Sequence, residues 1–216
     1  MKTKTLPGTP LNLMLSILYM LCILSVSVTF ALHFRPLYYF DISYLKLAET
    51  SGYSREEIRD NYDTLIDYNS MFNQDELEFP SFSMSEGGRI HFQEVKRIFV
   101  AVQYLAVVSF LLCVILTLYQ RRRRDFRFLK PAAILTTVIP LILGLLIALN
   151  WDAFFVIFHH IFFQNDYWIF DAATDPVITI LPDTFFLHEA ILILVCVLSG
   201  SMICFFAGHR LNNQHR

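Results

Sequence analysis

Charge is missing from four long stretches of this 216-residue sequence. No Asp, Glu, Lys or Arg occurs in 11–32, 98–119, 131–149 or 190–208. Runs of that kind do not belong to a water-soluble domain, and about 20 apolar residues suffice to cross a hydrocarbon core. Lys and Arg are also absent from 150–189. Cysteine is absent from every segment between the runs, because Cys22, Cys113, Cys196 and Cys204 all lie inside them. That placement excludes a disulfide framework or a cysteine metal site, and the four read as small buried hydrophobes. A Gly-x-Ser-x-Gly elbow, a cysteine outside the spans and a His-x-x-x-His pair are all lacking. The common serine, cysteine and zinc hydrolase signatures are thereby excluded. No internal repeat or low-complexity stretch occurs.

What is present is apolar and aromatic: 55% hydrophobic residues, with 21 Phe and 10 Tyr. The sequence predicts an all-α membrane protein forming one integral membrane domain over 1–216. It has four transmembrane helices, outer segments 33–97 and 150–189, and a cytoplasmic loop 120–130. The first run follows Lys2 and Lys4, as a secretory signal would. It is longer than the usual apolar core of a signal, about 7–15 residues, and Thr29-Phe30-Ala31 is a poor cleavage site, so a retained helix is expected. Met20-Leu21 before Cys22 does not make a lipoprotein cleavage box.

Basic residues set the orientation. Loop 120–130 carries Arg121, Arg122, Arg123, Arg124, Arg127 and Lys130 against Asp125, and the C-terminal tail adds Arg210 and Arg216. Segment 150–189 carries only acids, and 33–97 has seven basic against twelve acidic residues. Both termini and the arginine loop are therefore expected in the cytoplasm. Four consecutive arginines can bind nucleic acid or a particular anionic lipid. A topology determinant lying against acidic headgroups accounts for them without either, and no nucleic-acid partner is expected. The net charge of −2 needs no partner, since its sign along the chain follows topology.

In the first outer segment Ser54 and Glu57 form a capping box. Ile58, Tyr62, Leu65, Ile66 and Asn69 follow at helical spacing, predicting an extracytoplasmic amphipathic helix on the membrane or on the outer ends of the bundle. Phe79-Pro80-Ser81-Phe82 breaks the pattern, and Gly87-Gly88 reads as a turn. A helix beginning near Ile90 puts His91, Glu94 and Val95 on one face. In the second outer segment, Trp151 to Phe163 is aromatic and too short to span, which predicts a re-entrant or interfacial helix ended by Asn165-Asp166-Tyr167-Trp168. Asp152, Phe155, His159, Phe162 and Phe163 share a face there, with His160 about 100° away. Turns are expected at Thr174-Asp175-Pro176 and Leu181-Pro182-Asp183.

Seven histidines occur. His209 and His215 belong to the cytoplasmic tail, and His33 reads as interfacial. His188-Glu189 opens like a zinc-protease motif, but Leu192 stands where the second histidine is required. His91, His159 and His160 remain, delivered to one membrane face by separate aromatic segments. Histidine there is either a satisfied belt residue or a general acid–base.

These segments resemble the bacterial lipoprotein intramolecular transacylases. The resemblance covers nearly the whole chain. It is strongest in Phe158-His159-His160-Ile161-Phe162-Phe163-Gln164-Asn165-Asp166-Tyr167-Trp168 and in Phe170-Asp171, Thr174-Asp175-Pro176 and Ile180-Leu181-Pro182. It extends to Gly88-Arg89-Ile90-His91-Phe92-Gln93-Glu94-Val95-Lys96 and Asn61-Tyr62. Within that pattern His159 is the characteristic histidine and His160 falls on a variable position. The resemblance implies transfer of the sn-2 acyl chain of a diacylated lipoprotein to the α-amine of its N-terminal cysteine, giving the lyso-form. It implies a bacterial cell-membrane location, a diacylated lipoprotein and membrane lipid as partners, and no metal or other cofactor. His91 and His159 become the acid–base pair. Tyr62, Glu94, Asn165 and Asp166 are supporting residues that would orient an imidazole or donate to the oxyanion, with Arg89 beside them. Trp168, Phe162 and Phe163 would wall the acyl chains, while Asp166 and Asp175 read equally well as turn caps. The alternatives are a metal-dependent membrane lipid hydrolase using His91, His159 and Asp166, and a non-enzymatic scaffold or receptor. A transporter lacks charged residues in its spans to line a path.

Overall fold

The computed structural model describes residues 10–123 and 125–213. Lys2, Lys4, Arg124, His215 and Arg216 lie outside the described residues. Among those described, the chain is helical throughout, in the order α1 (Pro10–His33), α2 (Arg35–Tyr44), α3 (Leu47–Ser51), α4 (Arg55–Tyr68), α5 (Glu86–Arg123), α6 (Leu129–Leu149), α7 (Trp151–Phe162) and α8 (Asp183–Asn213). A short 3₁₀ turn, Pro176–Thr179, precedes α8. Four helices, α1, α5, α6 and α8, are long and apolar enough to cross a membrane. Their outward side chains suit lipid: Leu111, Ile115, Leu145 and Ile203 are among many large hydrophobics left exposed. At 38 residues, α5 is about 57 Å long and continues beyond the charge-free run at both ends.

The chain forms two compact units. One comprises the described residues up to Val28, 104–145 and those from Ile193 onward. Polar groups within its spans find partners in neighbouring segments: Ser16 Oγ donates to Phe128 O (2.9 Å) in the turn before α6, Ser201 Oγ to Ala133 O (2.8 Å), and Thr137 Oγ1 bonds Ser201 Oγ (2.6 Å). The Gly200, Cys204, Gly208 series in α8 gives close packing. A β-carbon would come within 2.8 Å of Ile23 at Gly200 and within 2.9 Å of Leu129 at Gly208. Small residues allow this approach where the hydrophobic effect cannot drive helices together. The helix α6 runs on through Pro140.

The second unit comprises 29–103 and 146–192 and holds the candidate site. Ser54 caps α4, accepting from Glu57 N at 3.1 Å. The apolar face of α4, Ile58, Tyr62, Leu65 and Ile66, is fully buried with Tyr38 and Ile42 of α2, Leu47, Val177, Ile180 and Phe185. The amphipathic helix thus rests on protein, and α2 and α3, which the pattern of 33–53 did not reveal, supply part of that floor. A left-handed Lys46 (φ 54°) separates α2 from α3, and Gly52 (φ 80°) ends α3.

One local expectation changes, and another gains its reason. Gly87 and Gly88 lie in the first turn of α5 and not in a turn before it. Gly88 is needed because a β-carbon there would collide with Asp175 Oδ1. The helix α7 ends at Phe162, its last N–H bond running from Phe163 N to His159 O (2.7 Å). The Asn165–Trp168 stretch is consequently a loop that folds back over the histidine.

Candidate active site

Three pieces of the second unit converge: the first turns of α5, the C-terminal half of α7, and loop 163–175. Loop 163–175 is fastened to α5 at two points. Asp175, 2% exposed, accepts from Ser85 N (2.8 Å) and Thr174 Oγ1 (2.7 Å). Asn165 Nδ2 donates to both oxygens of Glu94 (3.0 and 3.2 Å), while its Oδ1 accepts from Tyr167 N (3.1 Å). Charge-assisted bonds of this kind are stronger than neutral ones and hold geometry well. They bring His91 and His159 together, ring centroids 6.1 Å apart and planes 29° from parallel.

The walls are aromatic. His91, 6% exposed, meets Phe163 edge-on at 4.7 Å and Phe170 at 5.5 Å. His159 packs against both Phe155 (4.2 Å) and Trp168 (4.6 Å). Its Nδ1 is 2.8 Å from Phe155 O. A carbonyl only accepts, so Nδ1 carries the hydrogen and the neutral ring keeps its lone pair on Nε2. Burial pulls the His159 imidazolium below the usual histidine range, and the Phe155 carbonyl offsets this in part. The His91 Nδ1 and the Trp168 indole N–H are buried with no protein partner. These are groups a polar ligand would satisfy.

Other expected site residues lie elsewhere. Tyr62 makes no hydrogen bond or ring contact with either histidine among the described residues; it stacks on Tyr38 at 3.6 Å and belongs to the core. Arg89 donates from Nε to Glu86 Oε2 at 2.8 Å, which turns it toward an exposed carboxylate. Asp166 is exposed, its backbone oxygen accepting from Ile169 N in the loop. Glu94 and Asn165 bond each other rather than an imidazole, so they position the loop. Phe163 walls His91, whereas Phe162 is half exposed and packs on Phe158 (4.7 Å). His160 is exposed and makes a perpendicular ring contact with Trp168 at 5.6 Å.

One pair escaped the sequence. His188 Nδ1 lies 2.9 Å from both carboxylate oxygens of Asp41, which is completely buried. Phe186, two residues earlier on α8, packs on Phe155 of α7 at 5.8 Å. Two residues turn a helix through about 200°, so the pair faces away from His159. No group of three or more His, Cys, Asp or Glu among the described residues is arranged to hold a metal ion.

The fold and the site together describe a multi-span membrane protein with a paired-imidazole centre in apolar, aromatic surroundings. Comparison with known proteins gives the family. Residues 13–186 match the model of the lipoprotein intramolecular transacylase Lit, and this chain belongs to that family. Its fold matches the in meso structure of the membrane-integral transacylase Lit from Bacillus cereus, with TM-score 0.92, 37% identity and 96% of each chain covered. Two further structures of that enzyme, with a histidine replaced by arginine or by alanine, match at TM-score 0.86 and 36% identity. They cover 96% of this chain and 92% and 94% of theirs. No curated protein matches. The chain is therefore an acyltransferase acting within lipoproteins, embedded in the membrane by four helices.

Proposed function

We propose that His91 and His159 are the acid–base pair of this transfer. The substrate in this reading is a diacylated lipoprotein bearing both reactants: the α-amine of its N-terminal cysteine and the sn-2 ester of its diacylglyceryl group. His159 Nε2 takes a proton from the ammonium, and the free amine attacks the ester carbonyl through an eight-membered ring. The N–C bond forms and the C–O bond to the glyceryl oxygen breaks; the second proton that the attacking nitrogen loses passes through the imidazole pair to that oxygen, and the one first taken from the ammonium is released to water. The products are an amide and a hydroxyl, the lyso-form. The observation that carries this reading is the His159 tautomer: a ring held by Phe155 O, its lone pair on Nε2, 6.1 Å from a second imidazole. Holding amine and ester together supplies up to roughly 7–11 kcal/mol. No enzyme nucleophile is required.

Basic-residue placement supports termini in the cytoplasm and the pair at the extracytoplasmic face. The hydrolase alternative loses its third ligand, because Asp166 is exposed in the loop. Purified protein and a synthetic diacylated lipopeptide test the reading by mass spectrometry. The expected product is an N-acylated, monoacylglyceryl peptide of unchanged total mass. The same peptide with its amine acetylated is expected to be inert; loss of its sn-2 chain to water would instead establish a hydrolase.

The pH profile follows from the site. A base works only when neutral, and burial holds the His159 imidazolium below the usual 6.5 or so. The acid limb of kcat/KM, which reports the free enzyme, is therefore expected to inflect below pH 6.5, with activity falling as pH decreases through it. An inflection above neutrality would assign the base elsewhere.

A further inference from the structure

Loop 69–73 follows α4 and belongs, by sequence, to the charged outer segment. Its hydrogen bonds place it deeper. Gln103 of α5 lies five residues inside the charge-free run that starts at Ile98, about 8 Å past its beginning. The Gln103 side chain belongs to a residue 4% exposed; Nε2 donates to Asn69 O (2.8 Å) and Oε1 accepts from Met71 N (3.0 Å). Nearly two turns earlier on α5, Lys96 Nζ donates to Asp75 O (3.3 Å) and sits 3.9 Å over the Tyr68 ring. Between Tyr68 and Asp75 the chain therefore descends along α5 from the level of Lys96 to that of Gln103, and climbs back.

The N–H groups of the loop, with the Asn69 and Ser70 carbonyls, are prepared for such a place. Asn69 N bonds Leu65 O, Ser70 N bonds Asp67 O, and Asn73 N bonds Ser70 O. Met71 N has Gln103, and Phe72 N has Ser70 Oγ at 3.3 Å. Every N–H from Asn69 to Asn73 thus has an acceptor within the protein. Irregular backbone tolerates hydrocarbon only when its polar groups are satisfied without water. At the tip, Phe72 is 82% exposed, more than any other large hydrophobic among the described residues.

We propose that loop 69–73 is a membrane wedge, with Phe72 inserted among the acyl chains of the leaflet on the side where His91 and His159 lie. Gln103 is the polar staple that holds it there, which explains a buried glutamine inside a span. The wedge continues the lipid-facing surface of α5 and fixes how deeply the C-terminal end of α4, which it follows, is immersed.

Photocrosslinking of the full chain tests this. p-Benzoylphenylalanine replaces Phe72, Glu78 or Leu112 in turn, in vesicles of phosphatidylethanolamine and phosphatidylglycerol with radiolabelled acyl chains. Glu78 is an exposed outer residue and Leu112 an exposed residue in mid-span. Lipid adducts at position 72 are expected to exceed those at 78 several-fold and to approach those at 112. Adding Gln103→Leu is expected to lower the yield at 72 and leave 112 unchanged. Yields at 72 no higher than at 78, adducts mainly with a second copy or another protein, or no response to Gln103→Leu would each overturn the proposal.

Discussion

Replacing His159 by alanine is expected to lower kcat for lipopeptide acyl transfer by about 10²–10⁴-fold, the usual contribution of a positioned general base. KM is expected to change little, because the ring has few polar contacts to offer a ground-state substrate. His159→Gln is the sharper variant: its amide can still donate to Phe155 O and pack against Phe155 and Trp168, but it cannot take a proton. It is expected to fold like the parent and to be as inactive as His159→Ala. His91→Ala is expected to lose activity on the same scale, and the double variant to lose little more, since groups acting in one proton transfer are far from additive. The measurement is initial-rate mass spectrometry at pH 7.5, with protein yield and melting temperature recorded for each variant. If both single variants keep full activity while folded, the pair is not the acid–base centre.

Spans and histidines were legible in the sequence for different reasons. A run such as 190–208 has one reading, because only hydrocarbon rewards so many consecutive apolar side chains. His91 and His159 stood out as titratable residues in aromatic surroundings, yet their convergence depends on Glu94, Asn165, Ser85 and Asp175, whose bonds join residues 71 and 90 positions apart. Periodicity carries no trace of such pairings. Asn165 looked like a donor for the chemistry and turned out to be the bracket that holds Trp168 over His159. Gly87-Gly88 was misread because paired glycines usually mark turns, whereas here the missing β-carbon admits the Asp175 carboxylate. Tyr62 was credited to the site because it belongs to the family's pattern; its ring is spent on Tyr38.

His188 shows the limit most clearly, and it carries the second large expectation. As half of a zinc motif the His188-Glu189 pair failed, and nothing in the sequence joins His188 to Asp41, 147 residues away. Asp41 is completely buried, and its carboxylate is bonded at both oxygens by one imidazole nitrogen. Removing that imidazole leaves a buried carboxylate without its hydrogen-bond partner, a change that costs about 3–5 kcal/mol. For a chain of this size that corresponds to a melting temperature lower by very roughly 6–20 °C. His188→Ala is expected to show that loss in detergent, and Asp41→Leu alone a smaller one. In Asp41→Leu/His188→Phe most of the stability is expected to return, because replacing both members of a buried pair by well-packed apolar groups is often neutral. The kcat of the folded fraction is expected to stay at the parent value in all three, as the pair faces away from His159. A selective loss of kcat with unchanged melting would move His188 from the scaffold into the chemistry. Recovery in the double variant separates a stranded charge from a lost contact, since a simple contact, once deleted on both sides, stays lost.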